Sequence, residues 1–133
     1  MKENKKNNKP EFNKMGFTQW QWRVLNHNNL KLGENTQVGS YTVIDANKGV
    51  EIEDEVKIGF SCVIISYSSI DDKGGKVILK KNCKIGSGAI IMPGITVGEN
   101  AVVGANSFVN KDVPPNEVWV GTPAKFMKRL DSI

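Results

Sequence analysis

Side chains able to move a proton or attack a carbonyl near neutral pH are few in this chain. His27, in the run NHNN, is the single histidine. Imidazole is the side chain whose ordinary pKa suits general-base work at pH 7, yet a lone histidine among asparagines also reads as a solvated turn residue. Asp71 and Asp72 open the run DDKGGK. They can accept a proton, or they can simply make the turn that this hydrophilic, glycine-containing run predicts. Tyr67 stands just before them and offers a ring for stacking on a ligand or for a subunit contact. Two cysteines, Cys62 and Cys83, with one histidine do not make a zinc site, so no metal is expected.

The elements that must position these residues are set by a repeat of period six. Residues 79–114 read LKKNCK, IGSGAI, IMPGIT, VGENAV, VGANSF and VNKDVP. Leu79, Ile85, Ile91, Val97, Val103 and Val109 open the blocks, and Gly86, Gly98 and Gly104 follow three of them. The fifth position holds Cys83, Ala89, Ile95, Ala101, Ser107 and Val113, all uncharged and none larger than isoleucine. A helix repeats every 3.6 residues and a half-buried strand every two. Six fits a chain that makes a short strand, turns a corner and repeats, with three blocks closing one triangular coil. The opening aliphatic fills the prism, and the fifth residue faces inward near a corner. Cys62 and Cys83 both fall on that fifth position and read as reduced packing residues.

The same beat starts earlier. Leu32, Val38 and Ile44 open blocks; after a two-residue slip near Gly49 it resumes at Ile52, Ile58, Ile64 and Ile70. Four regions follow: a Lys/Asn-rich flexible tail at 1–14, an N-terminal cap at 15–31, the β-helix at 32–116 with a loop at 71–78, and a C-terminal segment at 117–133. Phe17, Trp20, Trp22, Val24 and Leu25 fit a strand or one helix face equally well. Thr122 and Pro123 form a helix start, Thr as N-cap and Pro at the first turn. A short C-terminal helix with Phe126, Met127 and Leu130 on one face is expected to cover the open end of the prism.

The 133 residues allow one domain, and the net charge of +4 is mild. No arginine-rich or aromatic-interleaved patch argues for nucleic acid. No apolar run approaches the roughly 20 residues of a membrane span, so no membrane insertion is expected. The N-terminal residues lack the apolar stretch of a secretory signal, and a cytoplasmic protein is expected.

The run IGSGAIIMPGITVGENAVVGANSFVNKDVPP followed by VGTPAK resembles the C-terminal signature of the hexapeptide-repeat acyltransferases. The likeness is closest to the sugar O- and N-acetyltransferases of galactoside and surface-polysaccharide type. It implies an all-β, left-handed parallel β-helix that assembles as a homotrimer, with acetyl-CoA in the groove between prisms and a sugar or nucleotide-sugar acceptor further down. By position, Ser87 matches a residue at the pantetheine or thioester end, and Ala105 a small residue that lets the pantetheine arm approach. Asn110 and Lys111 match a pair near the CoA arm and nucleotide, and Lys125 a basic position that meets CoA phosphates, for which a lysine point charge is suited. Tyr41 and Asp45 occupy a region that lines the acceptor pocket in relatives, and Asp71, Asp72 and Tyr67 can serve a sugar there.

One departure bears on mechanism. Many O-acetyltransferases of this family carry a histidine just before the loop that leaves the prism, where it is the general base on the acceptor hydroxyl. Ser69 stands at that position here, and a serine cannot fill the role unaided. Three accounts are open. The acceptor can be an amine, which is already nucleophilic and sheds its proton to water, Asp71, Asp72 or the CoA sulfur. His27 of the same or a neighbouring subunit can reach the groove. Or the chain is a catalytically inactive structural or regulatory trimer.

Overall fold

The computed structural model describes residues 9–131. Three parallel sheets, visited in rotation, form the faces of a prism of about five turns. Face one holds Arg23–Leu25, Val43–Asp45, Val63–Ile65, Ile90–Ile91 and Phe108–Val109. Face two holds Leu30–Leu32, Val50–Ile52, Val77–Leu79 and Thr96–Val97, and Val113 bridges to Val97 above them. Face three holds Gln37–Val38, Lys57–Ile58, Lys84–Ile85, Val102–Val103 and Glu117–Gly121. The six-residue beat therefore delivers the parallel β-solenoid it predicts.

The registers explain the beat and its slips. Val24, Ile44, Ile64, Ile91 and Val109 stack in one inward column, as do Val38, Ile58, Ile85 and Val103. All are essentially excluded from water, each contributing roughly 1.5–3 kcal/mol through burial. The fifth positions stack as well, Thr42 under Cys62, Ala89 and Ser107, because a corner leaves room only for a small side chain. Thr42 satisfies its buried hydroxyl by donating to the Gly59 carbonyl at 3.0 Å and accepting the Cys62 N–H at 3.1 Å. Cys62 and Cys83 are buried, and desolvation pushes both thiols up, Cys83 to about 12.

The prism begins before Leu32. Arg23–Leu25 pairs with Val43–Asp45, and Leu30–Leu32 with Val50–Ile52, so part of the segment read as a cap makes the first two rungs. Trp22 is fully buried at the start of the first described coil, and its indole N–H lacks a partner among the described residues. Residues 1–8 of the expected flexible tail lie outside the described residues. Residues 9–14 are held down: Lys9 pairs with Glu34 at 2.9 Å, and Phe12 packs edge-on to Trp22 with centroids 5.9 Å apart.

The expected C-terminal helix is absent, which corrects the reading of Thr122 and Pro123 as a helix start. Val118 and Trp119 extend face three by pairing with Val102 and Val103, and the chain then turns at a cis Thr122–Pro123 bond. Ala124–Arg129 returns antiparallel along Glu117–Gly121. A helix at this point would leave the last strand with an open row of N–H and C=O groups; a returning strand satisfies them. Leu130 closes the segment by donating its N–H to the Asn116 carbonyl at 2.7 Å. Among the described residues no helix is long and apolar enough to cross a membrane.

Candidate active site

The corner between faces three and one carries Tyr41, Phe60, Ser87 and Ala105 on successive coils. Tyr41, Ser61 and Asn106 hold positive φ there, with Gly88 in the same column (φ 68, 54, 58 and 74). Ser87 accepts the Phe60 N–H through Oγ at 3.0 Å. The glycines beside this corner exist for stacking. A Cβ on Gly86 would come within 2.5 Å of the Ala105 nitrogen, and one on Gly59 within 2.5 Å of Ser87 Oγ. An open cleft of about 440 Å³ runs along face three past Ser87 and Ala105, with Lys57 and Lys84 on its wall.

The corner between faces one and two carries most of the other candidates. Between Ile65 and Val77 the chain leaves the prism as a hairpin, Tyr67–Ser68 pairing antiparallel with Lys73–Gly74. Ser69, Ile70, Asp71 and Asp72 form its exposed tip, so Ile70 does not open an inward block as its six-residue spacing from Ile64 predicts: the chain has already left the prism after Ile65. Tyr67 donates its hydroxyl to Asp72 Oδ1 at 2.7 Å, a bond that holds the phenol above its usual pKa. Lys48 Nζ sits 5.7 Å from the Tyr67 ring centroid. Asp45 turns its carboxylate onto the Asn47 N–H at 2.9 Å and acts as a corner residue. His27 lies on the first coil of this corner, its ring stacked on Phe12 with centroids 4.7 Å apart and planes 7° from parallel. Asn110 and Lys111 stand exposed at the same corner on the last coil, and Asp112 caps the Thr96 N–H at 2.8 Å.

Lys125 is on the returning strand, opposite Val120, beyond the last rung of face three. The predicted residues thus fall into two groups. Tyr41, Ser87 and Ala105 share one corner, with Lys125 on the adjoining face. His27, Asp45, Tyr67, Ser69, Asp71, Asp72, Asn110 and Lys111 share another. Face one separates them within a single chain.

Sequence reasoning passes over Phe60, Lys57 and Lys84. Phe60 is half exposed beside Ser87. Lys57 and Lys84 each precede an opening aliphatic, Ile58 and Ile85, so their side chains point out of the prism. Reading the sixth position of each block as an outward column would have found the two lysines. Among the described residues no three His, Cys, Asp or Glu side chains gather as a metal site would require.

Two family models match the chain: "Bacterial transferase hexapeptide (six repeats)" over residues 76–111 and "Hexapeptide repeat of succinyl-transferase" over 29–64, together more than half of it. A serine acetyltransferase of Buchnera aphidicola is 36% identical over 104 residues, which is 78% of this chain and 40% of that protein. The chain therefore spans less than half the length of that relative. The structure resembles a maltose O-acetyltransferase from Clostridium difficile 630, with a TM-score of 0.76 and 34% identity over 84% of this chain and 65% of that one. It also resembles a hexapeptide-repeat acetyltransferase from Vibrio cholerae solved with acetyl coenzyme A, with a TM-score of 0.79 and 28% identity over 84% and 66% of the two chains. The stacked six-residue columns, the glycines that let one rung sit on the next, and these matches agree: the chain belongs to the hexapeptide-repeat acyltransferase family.

Proposed function

We propose that this protein transfers the acetyl group of acetyl-CoA to an amine or hydroxyl of a sugar or nucleotide-linked sugar in surface-polysaccharide synthesis, and that it works as a homotrimer. The observation that carries the reading is the cleft on face three, where Ser87 and Ala105 occupy the rim on adjacent coils and the returning strand Ala124–Arg129 bears Lys125. The acetyl-CoA complex of the Vibrio relative supports the donor and the name of the maltose enzyme supports a sugar acceptor, while the name of the serine enzyme supports acetyl transfer without a sugar.

Two features support the trimer. Above Arg23, the outward column of face one is apolar and only partly covered, with Val43, Val63, Ile90 and Phe108 in register. The two groups of candidate residues lie on the corners flanking that face, so copies packed along it bring one chain's Ser87 corner against another chain's hairpin.

The chemistry favours an amine. The amine nitrogen attacks the thioester carbonyl carbon, a C–N bond forms and the C–S bond breaks. The proton leaving nitrogen passes to a hairpin carboxylate, Asp71 or Asp72, and from there to the CoA thiolate, which leaves as the thiol. His27 is held in a stack with Phe12 and serves the N-terminal closure in this reading.

The test follows free thiol with acetyl-CoA and a panel of neutral sugars, amino sugars and nucleotide-linked amino sugars. Thiol release with an amino acceptor, reduced at least tenfold in the double variant Asp71→Asn/Asp72→Asn and unchanged in His27→Ala, is the expected result. Loss of turnover in His27→Ala with acetyl-CoA binding intact would move the base to that histidine. A trimer that neither binds acetyl-CoA nor releases thiol would make the chain a structural or regulatory subunit.

A further inference from the structure

Lys57 and Lys84 are in-register neighbours on face three, one rung apart, a spacing of about 4.8 Å. Like charges stacked this way repel and lower sheet stability. Neither has an acidic partner: no described Asp or Glu lies within ion-pair distance of either ammonium. The nearest acid in sequence, Glu55, is engaged by the Asn35 amide at 2.8 Å. Lys84 Nζ reaches only Asn82, at 3.4–3.5 Å. The same column reads Gln37 below and Val102 above, so the charge is confined to two coils. Both lysines line the Ser87–Ala105 cleft, and no carboxylate lines it with them. Two unpaired cations in a cleft free of acid form a site for an anion.

Resting on the proposed acetyl transfer, the position of the pair along the face says which anion. Lys125, the candidate for the donor's phosphates, lies three strands above Lys84 in the order of face three, about 14 Å along the prism at the usual strand spacing. Ala105 and then Ser87 follow downward from it. A donor held by its phosphates at the top presents its thioester near Ser87. The lysine pair is level with that end or below it, where the acceptor enters.

We infer that Lys57 and Lys84 form an anion subsite for the acceptor, so that the acceptor is a phosphorylated or nucleoside-diphosphate-linked molecule and not a neutral sugar. Two ammonium groups one rung apart suit two neighbouring phosphoryl groups, each lysine acting as a point charge.

The experiment uses the full chain with Lys57→Gln, Lys84→Gln and the double variant, with Lys57→Arg/Lys84→Arg to preserve charge. Calorimetry measures acetyl-CoA binding alone, then uridine diphosphate and inorganic pyrophosphate with CoA saturating. The expected result is uridine diphosphate binding about tenfold weaker in each single Gln variant, lost in the double variant, kept in the Arg variant, and weakened by salt. Acetyl-CoA binding stays unchanged. Uridine diphosphate and pyrophosphate that do not bind the wild-type chain while acetyl-CoA does would overturn the subsite and leave acetyl transfer standing. Weaker acetyl-CoA binding in the Gln variants would assign the pair to the donor's phosphates and also overturn it. Failure of the wild-type chain to bind acetyl-CoA would instead remove the transferase reading beneath it.

Discussion

Ser87 on the third coil accepts the backbone N–H of Phe60 on the second, Oγ to N at 3.0 Å. One hydroxyl thereby finishes a corner and stands on the rim of the face-three cleft. Ser87→Ala is expected to lose up to about 1 kcal/mol of stability, since the site is exposed and water can replace the acceptor. Acetyl-CoA binding should weaken in the same variant. Urea unfolding and calorimetry separate the two; a stability change with no change in donor binding would confine Ser87 to the corner.

Gly39 and Gly94 should fail for different reasons when replaced. A Cβ on Gly39 would sit 2.5 Å from the Gly59 carbonyl carbon and oxygen, whereas one on Gly94 meets nothing within 4 Å but inherits φ of +80°. Gly39→Ala is expected to cost about 1–3 kcal/mol by overpacking, and Gly94→Ala about 1–2 kcal/mol by conformation. Asparagine tolerates the left-handed region, so Gly94→Asn should recover much of the loss while Gly39→Asn recovers none. Equal recovery at both sites in urea midpoints would refute the distinction.

The corner between faces two and three is a column of left-handed residues, Asn35, Glu55, Asn82, Asn100 and Asn116. Asn82 donates its side-chain amide to Asn100 Oδ1 at 2.8 Å, and Asn100 to Asn116 Oδ1 at 3.1 Å. Glu55 breaks the run of amides. Glu55→Asn should stabilise the protein by about 0.5–1 kcal/mol, because asparagine accepts positive φ more readily and can extend the ladder. A lower thermal midpoint would count against it.

These relationships separate what the sequence could say from what it could not. Inward columns were legible because burial is periodic and each apolar position, such as Ile58 and Ile85, is repeated until chance is excluded. The first rung escaped notice because Val24 lies between Trp22 and Leu25, where a strand and a helix face give the same pattern. Thr122-Pro123 misled for a related reason: capping chemistry is local, while the open edge of Glu117–Gly121, which decides the outcome, is tertiary. Ser87 and Ala105 were assigned by likeness, and Lys57 and Lys84 were missed because outward positions obey no pattern until the prism is built.

Alkaline pH should destabilise the fold through Cys83. Its thiol is pushed up to about 12 by burial, while an unfolded cysteine ionises near 8.5. A raised folded-state pKa gives a contribution that is complete below about pH 8.5 and declines as pH rises toward 12, by up to about 1.4 kcal/mol per unit. Urea midpoints taken from pH 8 to 10.5 should fall, and less steeply in Cys83→Ala, although that variant starts lower because it leaves a small void. Parallel profiles would show that this thiol does not govern the loss. In the native state at pH 8, neither Cys62 nor Cys83 should react with iodoacetamide.

The hairpin between Ile65 and Val77 leaves the prism and re-enters it without disturbing a rung. Val63 still meets Ile90 above, and Val77 still meets Val50 below. A segment attached in this way is a cassette. It can be lengthened, shortened or exchanged while every inward column keeps its register. The scaffold and the chemistry grafted onto it can then diverge at independent rates, with selection on this one corner free to explore new substrates while the rest of the chain stands still.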